Sequence, residues 1–236
     1  NITGQIGEID NSGTIEAAVV MGTNQTSNGE AAIRNYGVGE ITTITNSGTL
    51  KALEQTIQNE AGAVIGTINN TASGTITAKG RDGQAIRVDD SGSIIRTINN
   101  AGTISTTLNN QYAEGRTISV LNGGEITTII NSGTISSLGN KTNVGSIWVA
   151  EGGSTIGTIT NSGDITSKGK EGTINNHGTI GTINNSNNIT NTSTDAESAG
   201  IRNADSGTIT TITNTGTITG ASGIDIRNAD TSGNTG

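Results

Sequence analysis

One phrase repeated along the chain constrains the fold more than any other feature. It reads Ile-x-Asn, a Gly-containing turn, Ile-x-x-Ile-x-Asn, a second turn, then Thr-Ile and a stretch of variable length; residues 33–50, IRNYGVGEITTITNSGTL, state it in full. Aligned on its first Ile it recurs at Ile33, Ile57, Ile86, Ile118, Ile147, Ile174, Ile201 and Ile226. A truncated copy surrounds Ile6 and Ile9, so about nine coils are expected from the repeat.

Four more columns share this phase. Ile6, Ile41, Ile65, Ile95, Ile126, Ile156, Ile180 and Ile209 open a second strand, and Ile9, Ile44, Ile68, Ile98, Ile129, Ile159, Ile183 and Ile212 follow three residues later. Next come Asn11, Asn46, Asn70, Asn100, Asn131, Asn161, Asn185 and Asn214, and then Ile15, Leu50, Ile76, Ile104, Ile135, Ile165, Ile189 and Ile218. Short β-branched strands between Asn and Gly, residues that tolerate positive φ, describe a chain that turns corners repeatedly. The two Ile of Ile-x-x-Ile are out of step with strand alternation, which predicts a corner near Thr43, Thr67 and Thr97.

Composition agrees with a thin stack. The 236 residues include 36 Gly, no Pro, no Cys and no Phe, and only 30% are hydrophobic. A thick core with aromatic anchors is out of reach, whereas an aliphatic column is not. A proline would remove a donor from the pairing between coils, and there is none. Buried Asn side chains are costly alone, but identical amides stacked about 4.8 Å apart can bond along the column, so Asn46, Asn70, Asn100, Asn131, Asn161, Asn185 and Asn214 read as a structural ladder. The fold class is therefore all-β, a single-stranded parallel β-helix forming one domain over residues 1–236.

A formal net charge of −8 argues against nucleic acid as a partner, and no apolar run reaches the length of a membrane span. Without cysteine there is neither a disulfide nor a thiolate metal site. No signal peptide opens the chain, which reads as a segment of a longer precursor.

The phrase Asn11-Ser12-Gly13-Thr14-Ile15, with Asn46-Ser47-Gly48-Thr49-Leu50, Asn131-Ser132-Gly133-Thr134-Ile135 and Asn214-Thr215-Gly216-Thr217-Ile218, resembles the repeats of bacterial autotransporter passenger domains, the type V secreted proteins. That resemblance implies a right-handed, three-faced β-helix, exported across the outer membrane to the cell surface or secreted, commonly as an adhesin.

No catalytic, cofactor or metal constellation is legible. The single histidine, His177, falls in an Asn-Gly turn and reads as an exposed turn residue, and the acids are scattered over loops. Two outward features remain. One is the file Arg34, Gln58, Arg87, Ser119, Trp148, Asn175, Arg202 and Arg227, whose cations are expected to be solvated or paired with nearby acids. The other is the variable stretch, residues 16–32, 51–56, 77–85, 105–117, 136–146, 166–173, 190–200 and 219–225, which recurs at one phase and predicts a ridge of loops along one edge. Its two longest neighbours mark a partner-binding candidate built from Tyr112, Glu114, Arg116, Lys141, Asn143 and Trp148, with both loops expected to be removable without loss of folding.

These readings favour a surface adhesin or self-association module over an enzyme. Its partner would be a host-cell glycan, a matrix or receptor protein, or a second copy. A purely structural stalk is the alternative, and an ice-binding face on the file Thr43, Thr67, Thr97, Thr128, Thr158, Thr182 and Thr211 a more remote one.

Overall fold

The computed structural model describes residues 4–17, 31–80, 83–107, 115–142 and 144–227. Among them are 24 strands and no helix, and hence no helix long and apolar enough to cross a membrane. The first sheet holds β1 (Gln5–Asn11), β4 (Glu40–Asn46), β7 (Val64–Asn70), β10 (Ile94–Asn100), β13 (Glu125–Asn131), β16 (Thr155–Asn161), β19 (Thr179–Asn185) and β22 (Thr208–Asn214). The second holds β2 (Thr14–Ala17), β5 (Thr49–Ala52), β8 (Thr75–Ala78), β11 (Thr103–Thr106), β14 (Thr134–Ser137), β17 (Asp164–Ser167), β20 (Asn188–Asn191) and β23 (Thr217–Thr219). The third holds β3 (Ala31–Tyr36), β6 (Gln55–Glu60), β9 (Gln84–Asp89), β12 (Arg116–Leu121), β15 (Ile147–Val149), β18 (Gly172–Asn176), β21 (Ala199–Ala204) and β24 (Ser222–Arg227).

The chain visits the three sheets in turn and pairs each strand in parallel with its counterpart one coil away, which makes it a parallel β-helix. Each sheet has eight rungs, so the described residues make eight coils where about nine were expected. The difference is one of phase: β1 and β2 complete a coil with β3 instead of forming one of their own. One alignment was also shifted. Ile201 pairs with Ile224, not Ile226, so Asp225 and not Arg227 follows Arg202 in the outward file. In Ile224-Asp225-Ile226 either Ile satisfies strand alternation, and only the pairing decides between them.

The aliphatic columns fill the interior. Ile44, Ile57, Ile68, Ile104 and Ile129 are fully buried and belong to one continuous cluster. Within β4, both Ile41 and Ile44 point inward while Thr42 is exposed and Thr43 half-buried. The pairing with β7 runs from Ile41↔Ile65 to Thr43↔Thr67 and passes over Thr42 and Gly66. The corner expected near Thr43, Thr67 and Thr97 is therefore a bulge inside continuous strands, which resets the alternation so that two Ile three apart face the core.

The true corners differ in what they permit. Between the first and second sheets every turn has two residues, such as Ser132-Gly133, except the four-residue turn 71–74 between β7 and β8, and successive turns stack so closely that a Cβ on Gly133 would collide with the Gly102 carbonyl. Between the third sheet and the first, the turns vary, with Asp205 at φ 53° and Gly152 and Gly153 at 78° and 87°. Between the second and third sheets lie all the connections of more than five residues.

Candidate functional site

The variable stretches fall at the predicted phase. Eight connections leave the second sheet and return on the third, from two residues between β5 and β6 to 13 between β2 and β3. Of the six candidate residues, Tyr112, Glu114 and Asn143 lie outside the described residues. Lys141 is half-buried, and its carbonyl accepts the Lys170 amide of the next connection at 3.1 Å. Nothing brings it to Trp148.

The connection carrying Lys141 is not a free loop where it approaches β15. Val144 is fully buried, Ser146 N–H donates to Thr173 O at 2.9 Å, and Ile118 N–H donates to Ser146 O at 2.9 Å. Residues 144–146 thus extend the third sheet, and the expectation that residues 136–146 can be shortened without loss of folding is corrected for that part.

Trp148 is corrected too. It was expected to stand outward as exposed surface, but it is only 7% exposed. The Arg116 guanidinium lies 4.0 Å from the indole centroid, and the His177 imidazole lies 4.7 Å away, tilted by 31°. Arg116 reaches it from the preceding coil and His177 from the following one, a stack that covers an indole which alone would expose a large apolar surface. His177 is therefore not the exposed turn residue expected: its side chain is 12% exposed, and Nδ1 lies 2.5 Å from Asp205 Oδ2.

Arg116, Trp148, His177 and Asp205 come from four successive coils and run along the axis as one chain of contacts. With Glu151 they line an open groove of about 430 Å³ at the corner between the third and first sheets. One ligand atom from each of Glu151, His177 and Asp205 lies within 4.8 Å of the others. The sequence offered no warning, because these residues are 26 and 28 positions apart and occupy turns of unequal length. The available signal was that the one His and the one Trp fall in adjacent repeats.

The cations of the outward file are paired as expected, Arg34 with Glu60, Arg87 with Asp89 and Arg202 with Glu171 at 3.4 Å, and Arg227, which the pairing takes out of the file, meets Glu197 at 3.2 Å and Asp225 at 2.7 Å. Burial would raise the carboxyl of Asp89, but hydrogen bonding and charge from Arg87, with help from Asn122 and the Asp90 amide, outweigh it and hold the group below its ordinary value of 3.8. On the first sheet the Thr file is in register from Thr43 to Thr211, yet the neighbouring outward positions include Gly66, Arg96, Gly157 and Gly181, so no flat double row forms.

Asn46, Asn70, Asn100, Asn131, Asn161, Asn185 and Asn214 are joined by amide-to-amide bonds of 2.7 to 2.8 Å. Asn11 donates to Asn46 at 2.8 Å. The third sheet adds an interrupted ladder that the columns had not revealed. Asn35 bonds Asn59 at 2.8 Å and Asn176 bonds Asn203 at 2.7 Å, with Val88, Val120 and Val149 occupying the same column between them. The first ladder satisfies its buried amides within the stack, whereas Asn176 Oδ1 in the second, next to Val149, is buried without a partner among the described residues. No protein-family model matches this chain, and neither curated proteins nor solved structures include one similar to it.

Proposed function

We propose that this chain is a rod segment of a bacterial surface protein, exported across the outer membrane, that acts as an adhesin or self-association module. Its partner would be a host-cell glycan, a matrix or receptor protein, or a second copy. The observation that carries this reading is that every connection of more than five residues lies between the second and third sheets. A rigid scaffold that varies at one edge can change what it recognises without changing its core. The resemblance of the Asn-Ser-Gly-Thr-Ile phrase to autotransporter passengers supports the location, and Arg116 beside Trp148 places a cation and an aromatic ring, both favoured at contact hot spots, at the base of the longest central connection.

A stalk that holds a distal domain away from the cell is the second reading. It is favoured by the packing of residues 144–146 into the third sheet, which takes that end of the connection out of reach of a partner. Replacing residues 108–114, which include Tyr112 and Glu114, by a two-residue link like Leu53-Glu54 separates the two. An adhesin should melt as the parent does and lose cultured-cell binding or self-association at least about tenfold, whereas undiminished binding favours the stalk.

A further inference from the structure

The geometry points to a site for a borderline divalent cation of the zinc class, held by Glu151, His177 and Asp205 at the corner between the third and first sheets. The reason begins with the pitch of the fold. Coils of a parallel β-helix repeat about every 4.8 Å, so side chains on three successive turns of one corner are close enough for one ion to bridge them. Glu151 follows β15, His177 follows β18 and Asp205 follows β21, one donor per coil, and their ligand atoms lie within 4.8 Å of one another. Bonds of about 2.0 to 2.2 Å to imidazole and carboxylate set two donors roughly 3.4 Å apart, so Glu151 closes in while the His177–Asp205 pair opens to admit the ion. That adjustment falls on Glu151 and Asp205, which are exposed on turns.

Two further observations separate this cluster from acids that merely share a surface. His177 Nδ1 already meets Asp205 Oδ2 at 2.5 Å, while Nε2 is buried and bonds to nothing among the described residues. A simple His–Asp hydrogen bond accounts for two of the residues but not for Glu151, which arrives from the neighbouring turn. The donor set also chooses the metal. One nitrogen and two carboxylates suit zinc and its transition-series neighbours, whereas calcium prefers six to eight oxygens. Three protein donors facing an open groove would leave the fourth position to water or to a partner's donor. Arg116 is held on the indole, and the two carboxylates outnumber its charge, so the groove remains attractive to a cation.

The protein carries its own reporter, since Trp148 is its one tryptophan and lies 4.7 Å from the imidazole of His177. Chelator-treated protein titrated with zinc chloride should show a saturable change in Trp148 emission and, by calorimetry, one ion bound per chain at the same midpoint. His177→Ala should weaken calorimetric zinc binding at least about tenfold, and Asp205→Asn and Glu151→Gln should each weaken it, with circular dichroism of all three remaining that of the parent. Glu151→Gln and Asp205→Asn keep the test open if His177→Ala does not fold. Absence of saturable zinc binding by the parent, calcium binding at equal affinity, or parental zinc affinity in the folded variants would overturn the assignment.

Discussion

Asn131 is fully buried, where an unmet amide costs about 1 to 3 kcal/mol. Its Nδ2 donates to Asn161 at 2.8 Å and to Gly133 O at 3.2 Å, and its Oδ1 accepts from Asn100 at 2.7 Å. Asn131→Asp removes that donor and places a charge among neutral amides. The variant should lose at least about 2 kcal/mol, read as a lower urea midpoint with unchanged slope, and a parental midpoint would show that the ladder contributes nothing. Asp89 gives the pH dependence. Because its folded carboxyl lies below the unfolded value of 3.8, its contribution is fully present above that value and is lost as pH falls through the folded one. The melting-temperature advantage of the parent over Asp89→Asn should therefore be constant above about pH 5 and shrink toward pH 2.

At the scale of elements, the strands were legible and their corners only partly so. Columns of Ile and Asn at matched spacing named every strand of the first and second sheets, because all but one of those pairs join through two-residue turns that hold the phase, β7 and β8 being joined by four residues. Stacking makes these turns intolerant. Gly133→Ala, which drives a methyl group into the Gly102 carbonyl, should cost about 1 to 3 kcal/mol, visible as a lower melting temperature, even though the residue is only half-buried and its φ is not left-handed. The third sheet was less legible. Its strands begin after connections of unequal length, and its inward Asn column is broken by Val88, Val120 and Val149, so the second ladder and the Ile224 alignment escaped the pattern.

For the whole molecule, eight coils at about 4.8 Å each give a stack of roughly 38 Å in which a coil touches only its neighbours. That arrangement explains how a chain with so little aromatic content folds. No single coil buries enough, yet every interior coil is sandwiched by two others, and inward Ile residues such as Ile98, Ile104 and Ile129 reach full burial. At the first coil, Ile6 is 47% exposed, since among the described residues its strand pairs on one side only.

The sequence by itself determined the parallel β-helix, its aliphatic columns, the first Asn ladder and the edge from which loops emerge, because each depends on spacing that repeats. What repeats in one dimension must stack in three when backbone groups pair coil to coil. Only the tertiary structure decided which unrepeated residues meet. Trp148 became buried between Arg116 and His177, and Glu151, His177 and Asp205 converged, because turns of different lengths deliver side chains to a common corner. Their proximity is set by pitch and turn geometry, quantities that no spacing along the chain records.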